Sequence, residues 1–376
     1  MKFVIAPDSF KGGMTAKQAA IAIETGLKRV FPTAEYVQVP MADGGEGTVQ
    51  SLVDATNGEF QSAQVLNPLG DTVTATYGIL GDKTTAVIEM AAASGIQYVD
   101  EQTKNPLITT TYGTGQLIIA ALDQDIRHII LGVGGSATND GGAGMAQALG
   151  VELLDENHEA LPFGGGALDQ LAYIELANID PRLAETTIQI ASDVTNPLVG
   201  DTGASAVFGP QKGATPAMVA QLDANLQHYA TIIERDLGKS IANTPGAGAA
   251  GGLGGGLLAF TNSKLKPGIE IVVEATGLSE KARDADYVFT GEGSIDFQTQ
   301  YGKTPMGTAQ AVKKVNPQAK VIGVAGNVGE GIDQLYALGI DAVFSTTPGI
   351  ISLATALEHD QFNLSRLVEN IARLLK

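Results

Sequence analysis

The chain has 376 residues, of which 44% are hydrophobic and 17% are charged, a composition typical of a globular protein with a large core. Its formal net charge of −18 argues against nucleic acid as a partner, because no basic stripe is available to neutralise phosphates. The lack of cysteine excludes disulfides, thiolate zinc sites and a cysteine nucleophile, and the four scattered histidines disfavour a histidine-metal or Ser-His-Asp mechanism.

Strands and helices alternate at the amino-terminal end of the chain. FVIAP (3–7) is typical of a buried strand, and the residues after it have the hydrophobic period of a helix, with Thr15 and Gln18 at the spacing of a capping box. EYVQVPMAD predicts a second strand, followed by a second helix, and this alternation predicts parallel pairing. The first segment is not a signal peptide and no window suits a membrane helix, so we expect a cytoplasmic protein without a membrane partner.

The middle of the chain has a different pattern from its two ends. Within residues 59–90, three extended segments follow one another with only Gly/Asp turns between them, which predicts an antiparallel meander next to a domain boundary. Strand–helix alternation then returns near the carboxyl end, with one helix capped by Thr304 and a closing amphipathic helix. We therefore expect an α/β fold in which a Rossmann-like (flavodoxin-like) doubly wound parallel-sheet domain is formed by both chain ends. The predicted bounds are 1–65 plus 280–376 for this domain and 66–279 for an inserted mixed α/β domain.

The most distinctive stretch is IILGVGGSATNDGGAGMAQALG (129–150). A β-branched run passes into six glycines between Gly132 and Gly144, and a helix-compatible segment follows. Glycine lets backbone N–H groups approach a ligand without a Cβ atom in the way. Between a strand and a helix, such amides form a cradle for an anion. We therefore predict a phosphate or carboxylate site in this loop.

Acidic and small polar residues follow four of the predicted strands. Ligands of doubly wound sheets bind at the carboxyl ends of the strands, so these residues are site candidates. The four sets are Asp8, Ser9, Lys11 and Gly12; Asp43, Gly44, Gly45, Glu46 and Gly47; Ser192, Asp193, Thr195 and Asn196; and Gly291, Glu292, Gly293, Ser294 and Asp296. Phosphoryl transfer needs oxygen ligands for Mg²⁺, donors for the phosphates and a carboxylate near the acceptor hydroxyl. The strand ends therefore favour a kinase, in which Asp193 and Asp296 are candidates for metal ligand and base and Lys11 for a phosphoryl or carboxylate contact.

Two familiar nucleotide motifs are incomplete in this sequence. Gly302–Thr304 ends like a P-loop, but Phe297 stands where that motif requires glycine, so Lys303 is only a candidate phosphate contact. The residues from Gly132 to Ala137 fit a loose dinucleotide fingerprint, but the loop continues as TNDGGAG instead of entering a helix. This departure disfavours a nicotinamide-dependent enzyme.

Two further segments are rich in glycine. FGPQKGA (208–214) places Lys212 between glycines in a stretch without apolar periodicity, which favours a functional loop. PGAGAAGGLGGGLLAF (245–260) has large apolar residues at near-helical spacing, which predicts a glycine-rich helix packed closely on another element.

Seven long motifs run in order along nearly the whole chain. They are APDSFKG (6–12), PMADGGEGT (40–48), GVGGSATNDGGAGM (132–145), SDVTNPLVG (192–200), VFGPQKGA (207–214), PGAGAAGG (245–252) and TGEGSIDFQTQYGKTP (290–305). Together these motifs resemble those of the bacterial type I glycerate kinases. The resemblance implies a Rossmann-like domain made from both chain ends, an inserted α/β domain, and an active site in the cleft between them.

The resemblance also implies a reaction, in which an ATP-dependent kinase phosphorylates a hydroxyl of D-glycerate and releases phosphoglycerate and ADP. ATP and Mg²⁺ would be the cofactors. We assign Asp193 as the general base, with Asp8 or Asp43 as rivals, and Lys11 as the residue that stabilises transition-state charge. The remaining candidates are Asp296 and Glu292 for Mg²⁺ and, for phosphate or substrate, Ser9, Gly134, Gly135, Ser136, Thr138, Asn139, Gly141, Lys212 and Lys303.

Several alternatives stay open at this level. The glycine-rich loop would hold either the ATP phosphates or the glycerate carboxylate, and the product would be either 2- or 3-phosphoglycerate, since this depends on sub-ångström placement. A kinase for another small hydroxy acid is the main rival function. A nicotinamide-dependent hydroxyacid dehydrogenase is a weaker one, and the sequence does not indicate an oligomeric state.

Overall fold

The structure, a computed structural model, describes all 376 residues. Thirteen strands and fourteen α-helices are joined by loops and short 3-10 turns. The strands are β1 (Lys2–Pro7), β2 (Glu35–Gln38), β3 (Glu59–Leu66), β4 (Thr72–Ile79), β5 (Thr85–Glu89), β6 (His128–Gly132), β7 (Glu152–Leu154), β8 (Tyr173–Glu175), β9 (Thr187–Ala191), β10 (Ser263–Lys266), β11 (Tyr287–Ile295), β12 (Lys320–Val328) and β13 (Ala342–Ser345). The helices are α1 (Ala16–Lys28), α2 (Thr48–Thr56), α3 (Ala91–Ser94), α4 (Tyr112–Leu122), α5 (Ala143–Ala148), α6 (Ala204–Phe208), α7 (Pro216–Leu237), α8 (Ala249–Phe260), α9 (Gly268–Thr276), α10 (Leu278–Lys281), α11 (Thr304–Val315), α12 (Asp333–Ala337), α13 (Leu353–Glu358) and α14 (Asp360–Leu375).

The chain divides into two compact units, each with its own sheet. The parallel-sheet unit comprises residues 1–43, 50–58 and 267–376, and the mixed-sheet unit comprises residues 44–49 and 59–266. None of the helices has both the length and the apolar character that crossing a membrane requires.

The bounds of these units differ from the expected bounds of an inserted segment, 66–279. At the first boundary, the whole of β3 belongs to the mixed-sheet unit because it pairs with β4 over its full length. At the second, α9 and α10 belong to the parallel-sheet unit because both contact α11. Hydrophobic periodicity reports a strand or helix but not its packing partner, so it places such boundaries only approximately.

A five-stranded, wholly parallel sheet forms the centre of the parallel-sheet unit, with the strand order β13-β12-β11-β1-β2. Phe3 and Ile5 of β1 share a core with α1 and α14, whereas Val4 between them is buried on the opposite face. The predicted capping box at the start of α1 is confirmed: the Gln18 amide donates to the Thr15 hydroxyl, and the Thr15 amide donates to the Gln18 side chain.

A six-stranded sheet with the order β10-β9-β6-β5-β4-β3 forms the centre of the mixed-sheet unit. Strands β10, β9, β6 and β5 are parallel, whereas β3, β4 and β5 are antiparallel neighbours, so the predicted meander is confirmed. Its core includes Leu117 of α4, Leu131 of β6 and Leu253 of α8. With one parallel and one mixed sheet, the chain has the expected α/β class of fold.

The glycine-rich segment near residue 250 forms helix α8, which packs closely on the loop that precedes α5, as predicted. Ala250, Gly251 and Gly252 have left-handed backbone conformations with φ of 53°, 67° and 91° and kink the helix. The two glycines adopt this conformation without steric cost, whereas it is unusual for Ala250. A Cβ atom at Gly256 would lie 2.5 Å from the carbonyl oxygen of Gly141. A side chain at Gly256 would therefore keep helix α8 from packing this closely on the loop that carries Gly141.

Candidate active site

Two acidic residues lie side by side where β1 ends: Asp8 directly follows β1, and Glu292 lies within β11 at the same level. Pro7 pairs with Gly291 in the parallel sheet, and the Asp8 amide donates a hydrogen bond to the Gly291 carbonyl at 2.8 Å. Asp8 and Glu292 each follow one member of this pair, so the sheet itself places them together. This edge is where parallel α/β sheets bind their ligands.

The Asp8 carboxylate is partly buried and held by two short hydrogen bonds. Thr304 Oγ1 donates to Oδ2 at 2.5 Å, and the Ser9 amide donates to Oδ1 at 2.6 Å. Burial raises the pKa of Asp8 to about 6, and the Asp43 carboxylate adds to the rise, whereas the bonds from Thr304 and Ser9 oppose it. The ionised form of Asp8 is therefore disfavoured, and a bound cation would favour it.

The ionised form of Glu292 is also disfavoured, for the same physical reason as that of Asp8. Burial raises its pKa to about 7, and the Asp8 and Asp43 carboxylates contribute in the same direction. Lys303 opposes the shift, with its Nζ atom 3.8 Å from Glu292 Oε1, and the Thr299 hydroxyl donates to the same oxygen at 3.2 Å. Lys303 thus faces Glu292, and we refer to Asp8, Asp43 and Glu292 as the acidic edge, because Asp43 raises the pKa of both of the other carboxyl groups.

The other predicted residues of this unit lie around the acidic edge. Asp296 Oδ1 accepts the Gln298 amide at 2.8 Å and so caps the 3-10 turn that follows β11. Lys11 is exposed on the loop after β1, where its amide nitrogen lies 3.4 Å from the position of a Cβ atom on Gly293. The chain fold thus brings Asp8, Ser9, Lys11, Glu292, Asp296 and Lys303 to one edge of one sheet.

The predicted helix cap at Thr304 is wrong by one residue. Lys303 occupies the cap position of α11, and Thr304 is the first helical residue. The Thr304 hydroxyl is directed to Asp8, 296 residues away in sequence, and local spacing carries no information about such a contact.

In the mixed-sheet unit, three neighbouring strands end in register. Glu89 of β5 pairs with Gly132 of β6, which pairs with Ala191 of β9. The predicted loop residue Gly134 and the predicted base Asp193 each follow two positions later, so both leave the same edge of the mixed sheet. Asp193 is exposed there.

Glu89 is a residue of this edge that sequence reasoning missed. Its Oε1 accepts the Val49 amide at 3.0 Å, and the amides of Gly47 and Thr48 also stabilise the carboxylate. Burial nevertheless raises the pKa of Glu89, and nearby Glu46 contributes. The signal was present, since Glu89 is an acidic residue at the end of a predicted strand, as Asp8 is. Its function is to anchor the loop that leads into α2.

Two glycine-rich motifs that are distant in sequence meet at this edge. A Cβ atom at Gly132 would lie 3.0 Å from the carbonyl oxygen of Gly44, and one at Gly134 would lie 3.8 Å from the Cα atom of Gly45. Gly134 and Gly135 are exposed and Ser136 is partly exposed. We call Gly132–Ser136 the glycine edge, because it presents backbone to solvent where a side chain would otherwise stand.

The remainder of the glycine-rich loop is interior. Thr138, Asn139 and Asp140 are fully buried, and the Asn139 amide group donates to Ser205 Oγ at 2.9 Å. A Cβ atom at Gly141 would lie 2.9 Å from the Tyr229 ring. The predicted binding residues of this loop thus divide into an exposed group and a buried group that supports it.

Asp140 fixes the buried part of the loop. Its carboxylate accepts hydrogen bonds from the Thr111 amide and hydroxyl, both at 2.8 Å, and from the amides of Gly142 at 3.1 Å and Gly144 at 3.2 Å. Burial raises the pKa of Asp140 although these donors stabilise its ionised form. The carboxylate in the middle of the loop is therefore bound by hydrogen-bond donors of the protein itself.

Comparison with known proteins places the chain in a family. Residues 3–376 match the family model described as the glycerate kinase family. The chain is 57% identical to the glycerate kinase of Halalkalibacterium halodurans, over 98% of this chain and 97% of that one. It is 51% identical to the glycerate 2-kinase of Escherichia coli, over 100% of this chain and 98% of that one.

A solved structure agrees with these relatives. The crystal structure of a Salmonella typhimurium LT2 protein assigned as glycerate kinase 2 has a TM-score of 0.91 with this chain at 48% identity. The match covers 100% of this chain and 98% of that one. Since family, relatives and structure all match from end to end, the chain belongs to the glycerate kinase family.

Proposed function

We propose that this protein transfers the γ-phosphoryl group of ATP to the 2-hydroxyl of D-glycerate and releases 2-phosphoglycerate and ADP. The observation that carries the proposal is end-to-end similarity to glycerate kinases, among them a glycerate 2-kinase at 51% identity. The resemblance of the sequence motifs to those of the type I enzymes supports assignment to that type. We also infer that the parallel-sheet unit corresponds to their Rossmann-like domain and the mixed-sheet unit to their inserted domain.

The acidic edge fits Mg²⁺. Burial raises the pKa of Asp8 to about 6 and that of Glu292 to about 7. Repulsion from Asp43, and for Glu292 also from Asp8, adds to the rise, so a bound cation would stabilise both ionised carboxylates. No cluster of three protein ligands is preformed, but Mg²⁺ usually takes only one or two carboxylates together with substrate phosphates. Asp296 lies four residues after Glu292 along the chain and is the further candidate. When bound there, Mg²⁺ would neutralise charge on the ATP phosphates.

The remaining catalytic parts are assigned to exposed groups. Asp193, on the edge that also carries Gly134, would accept the proton of the glycerate hydroxyl. Lys11, exposed beside the acidic edge, would stabilise the negative charge that develops on the transferred phosphoryl group. The backbone of Gly134 and Gly135, with the Ser136 hydroxyl, would bind an anionic group of a substrate.

A coupled assay tests this function directly. The protein is supplied with MgATP and D-glycerate, and the product is passed either to enolase alone or to enolase with phosphoglycerate mutase. Enolase alone is expected to suffice, because it consumes 2-phosphoglycerate. A requirement for the mutase would move the transfer to the 3-hydroxyl.

A substrate panel separates the rival functions. ADP release is measured with D-glycerate, L-glycerate, lactate, tartronate and glycerol, and D-glycerate is expected to give the highest kcat/KM. Faster turnover of another hydroxy acid would replace the substrate assignment. Thermal stabilisation by NAD but not by MgATP would favour the dehydrogenase instead.

A further inference from the structure

Lys212 is a buried cation in the mixed-sheet unit. It ends the 3-10 turn Pro210–Lys212 and is only 1% exposed, which is rare for a lysine. Its Nζ atom donates a hydrogen bond to the Thr138 carbonyl oxygen at 2.6 Å. Burial lowers the pKa of Lys212 to about 7, and the Asp140 carboxylate opposes that shift. The sequence presented Lys212 as a phosphate contact, but the folded chain directs its ammonium group into the interior.

Thr138 lies at the point where the glycine-rich loop enters the protein. The exposed Gly134–Ser136 segment precedes it, and buried Asn139 follows it. One residue earlier, the Thr109 hydroxyl donates to the Ala137 carbonyl at 3.0 Å. The exposed segment is itself held where the Ile96 amide donates to the Gly135 carbonyl at 2.8 Å and the Ala137 amide donates to the Ser94 carbonyl at 3.0 Å. The bond from Lys212 to the Thr138 carbonyl oxygen fixes the main chain directly after these contacts, on the buried side of the loop.

We propose that Lys212 is a positioning residue, whose buried ammonium group holds the Thr138 carbonyl and thereby keeps the Gly134–Ser136 backbone in the shape that binds a substrate anion. The inference rests on the proposed function in one respect, namely that this segment binds substrate. It assigns Lys212 no contact with phosphate.

Stability and function are expected to separate at this position. Lys212→Met relieves the cost of burying an ammonium group, but it leaves the Thr138 carbonyl without this donor and removes the cation that interacts with buried Asp140. The Asp140 carboxylate keeps its four hydrogen bonds from Thr111, Gly142 and Gly144 when Lys212 is changed. Because these effects oppose each other, we expect Lys212→Met to fold and to melt within a few degrees of the wild type. A residue that serves only the stability of the fold would lower the melting temperature without changing a KM.

The chain offers a matched control in Lys239. Its Nζ atom also donates to main-chain carbonyls, those of Ala259 at 2.6 Å and Leu258 at 3.1 Å, and burial lowers its pKa too. These carbonyls belong to the last turn of α8 and not to the glycine-rich loop. Lys239 is exposed whereas Lys212 is buried, so Lys239→Met controls for the loss of a lysine–carbonyl hydrogen bond in the same unit but not for burial of the ammonium group.

The experiment compares Lys212→Met, Lys239→Met and the wild-type protein by steady-state kinetics, thermal melting and amide hydrogen exchange. Lys212→Met should raise the KM for ATP or for D-glycerate about tenfold, the scale of a lost hydrogen bond to a charged donor. Its kcat should stay within about threefold, and peptides covering residues 132–144 should exchange faster. Lys239→Met should change neither KM nor the exchange of those peptides. The substrate whose KM rises identifies the anion that the segment binds.

Three results would overturn the inference. Unchanged KM values with unchanged exchange would show that the loop does not depend on Lys212. A lower kcat without faster exchange would show that Lys212 contacts the reacting groups directly. A variant that fails to fold would show that Lys212 serves stability. If the wild type itself transfers no phosphate to D-glycerate, the proposed function fails, whereas the exchange measurement still tests how Lys212 holds the loop.

Discussion

The carboxyl ends of the two sheets present opposite chemistry. The parallel sheet ends in the acidic edge, where the pKa values of Asp8 and Glu292 are raised to about 6 and 7. The mixed sheet ends in the glycine edge, where Gly134 and Gly135 present backbone to solvent and Asp140 is turned inward. Equivalent positions on two α/β sheets thus offer carboxylates in one case and backbone in the other.

Under the proposed function, this difference would let one fold class supply both needs of phosphoryl transfer. Carboxylates suit a cation, and exposed amides suit an anion. Each edge also carries an exposed residue of the opposite kind, Lys11 beside the carboxylates and Asp193 beside the glycines. The expected contribution to catalysis is greatest for these two residues.

The largest effect is expected for Asp193→Asn. The amide keeps the size of the side chain but cannot accept the hydroxyl proton, so kcat should fall by about a thousandfold while the protein stays folded. Circular dichroism and steady-state kinetics check this, with Asp201→Asn, an exposed aspartate of the same unit, as the control. A change confined to the KM for ATP would mean that the base lies elsewhere, with Asp8 and Asp43 as the next candidates.

Lys11→Ala is expected to lower kcat about a hundredfold, the scale of losing a contact to transition-state charge. Lys17→Ala is the control, because Lys17 is an exposed lysine on α1 that pairs with Asp54 at 2.8 Å. Single-turnover measurements under saturating MgATP would report the chemical step. Turnover near the wild-type value in a folded Lys11 variant would remove Lys11 from the catalytic set.

Glu292→Gln and Gly134→Ala test whether the acidic edge binds a cation and the glycine edge binds a substrate anion. The glutamine variant removes a charge from the acidic edge, so the Mg²⁺ concentration for half-maximal rate should rise about tenfold. Gly134→Ala should raise a substrate KM several-fold and leave the Mg²⁺ requirement unchanged. Its new Cβ atom would make only an ordinary contact, 3.8 Å from Gly45 Cα, so the fold should tolerate it. Equal changes in the Mg²⁺ requirement would remove the distinction between the edges.

The smallest effect is a pH-dependent change in stability for Asp8→Asn. The pKa of Asp8 is raised from 3.8 to about 6 in the folded protein, so its ionised carboxylate destabilises the fold above about pH 6. Below pH 3.8 this destabilisation is absent. Without Mg²⁺, the variant should therefore melt a few degrees above the wild type at pH 8, and the difference should shrink towards pH 4. A difference that does not vary with pH would contradict the unfavourable charge at Asp8.

Much of the fold follows from local pattern. The meander of β3, β4 and β5 is readable from extended segments with short turns, and the α1 capping box from Thr15 and Gln18. The candidate strand ends are readable for the same reason, since a hydrophobic run followed by Asp and Gly marks where a strand stops. The roles assigned to the residues at those ends stay predictions.

The missed parts of the site are all long-range contacts. The Thr304 hydroxyl reaches Asp8 across 296 residues, and Glu89 holds the Val49 amide across 40. No local period encodes such a pairing. It depends on which strands become neighbours in the finished sheet, as β1 and β11 do here.

By itself, the amino-acid sequence determined the α/β class, the membership of a kinase family, and the glycine-rich places where we predict that backbone approaches an anion. Only the tertiary structure decided which of those places face solvent. Gly134 is exposed, whereas Thr138, four residues later, is buried. Lys212 is 1% exposed, and its ammonium group donates to the Thr138 carbonyl. The physical reason is that composition and spacing describe a residue's own chemistry. Burial, which sets its pKa and its accessible partners, is a property of everything packed around it.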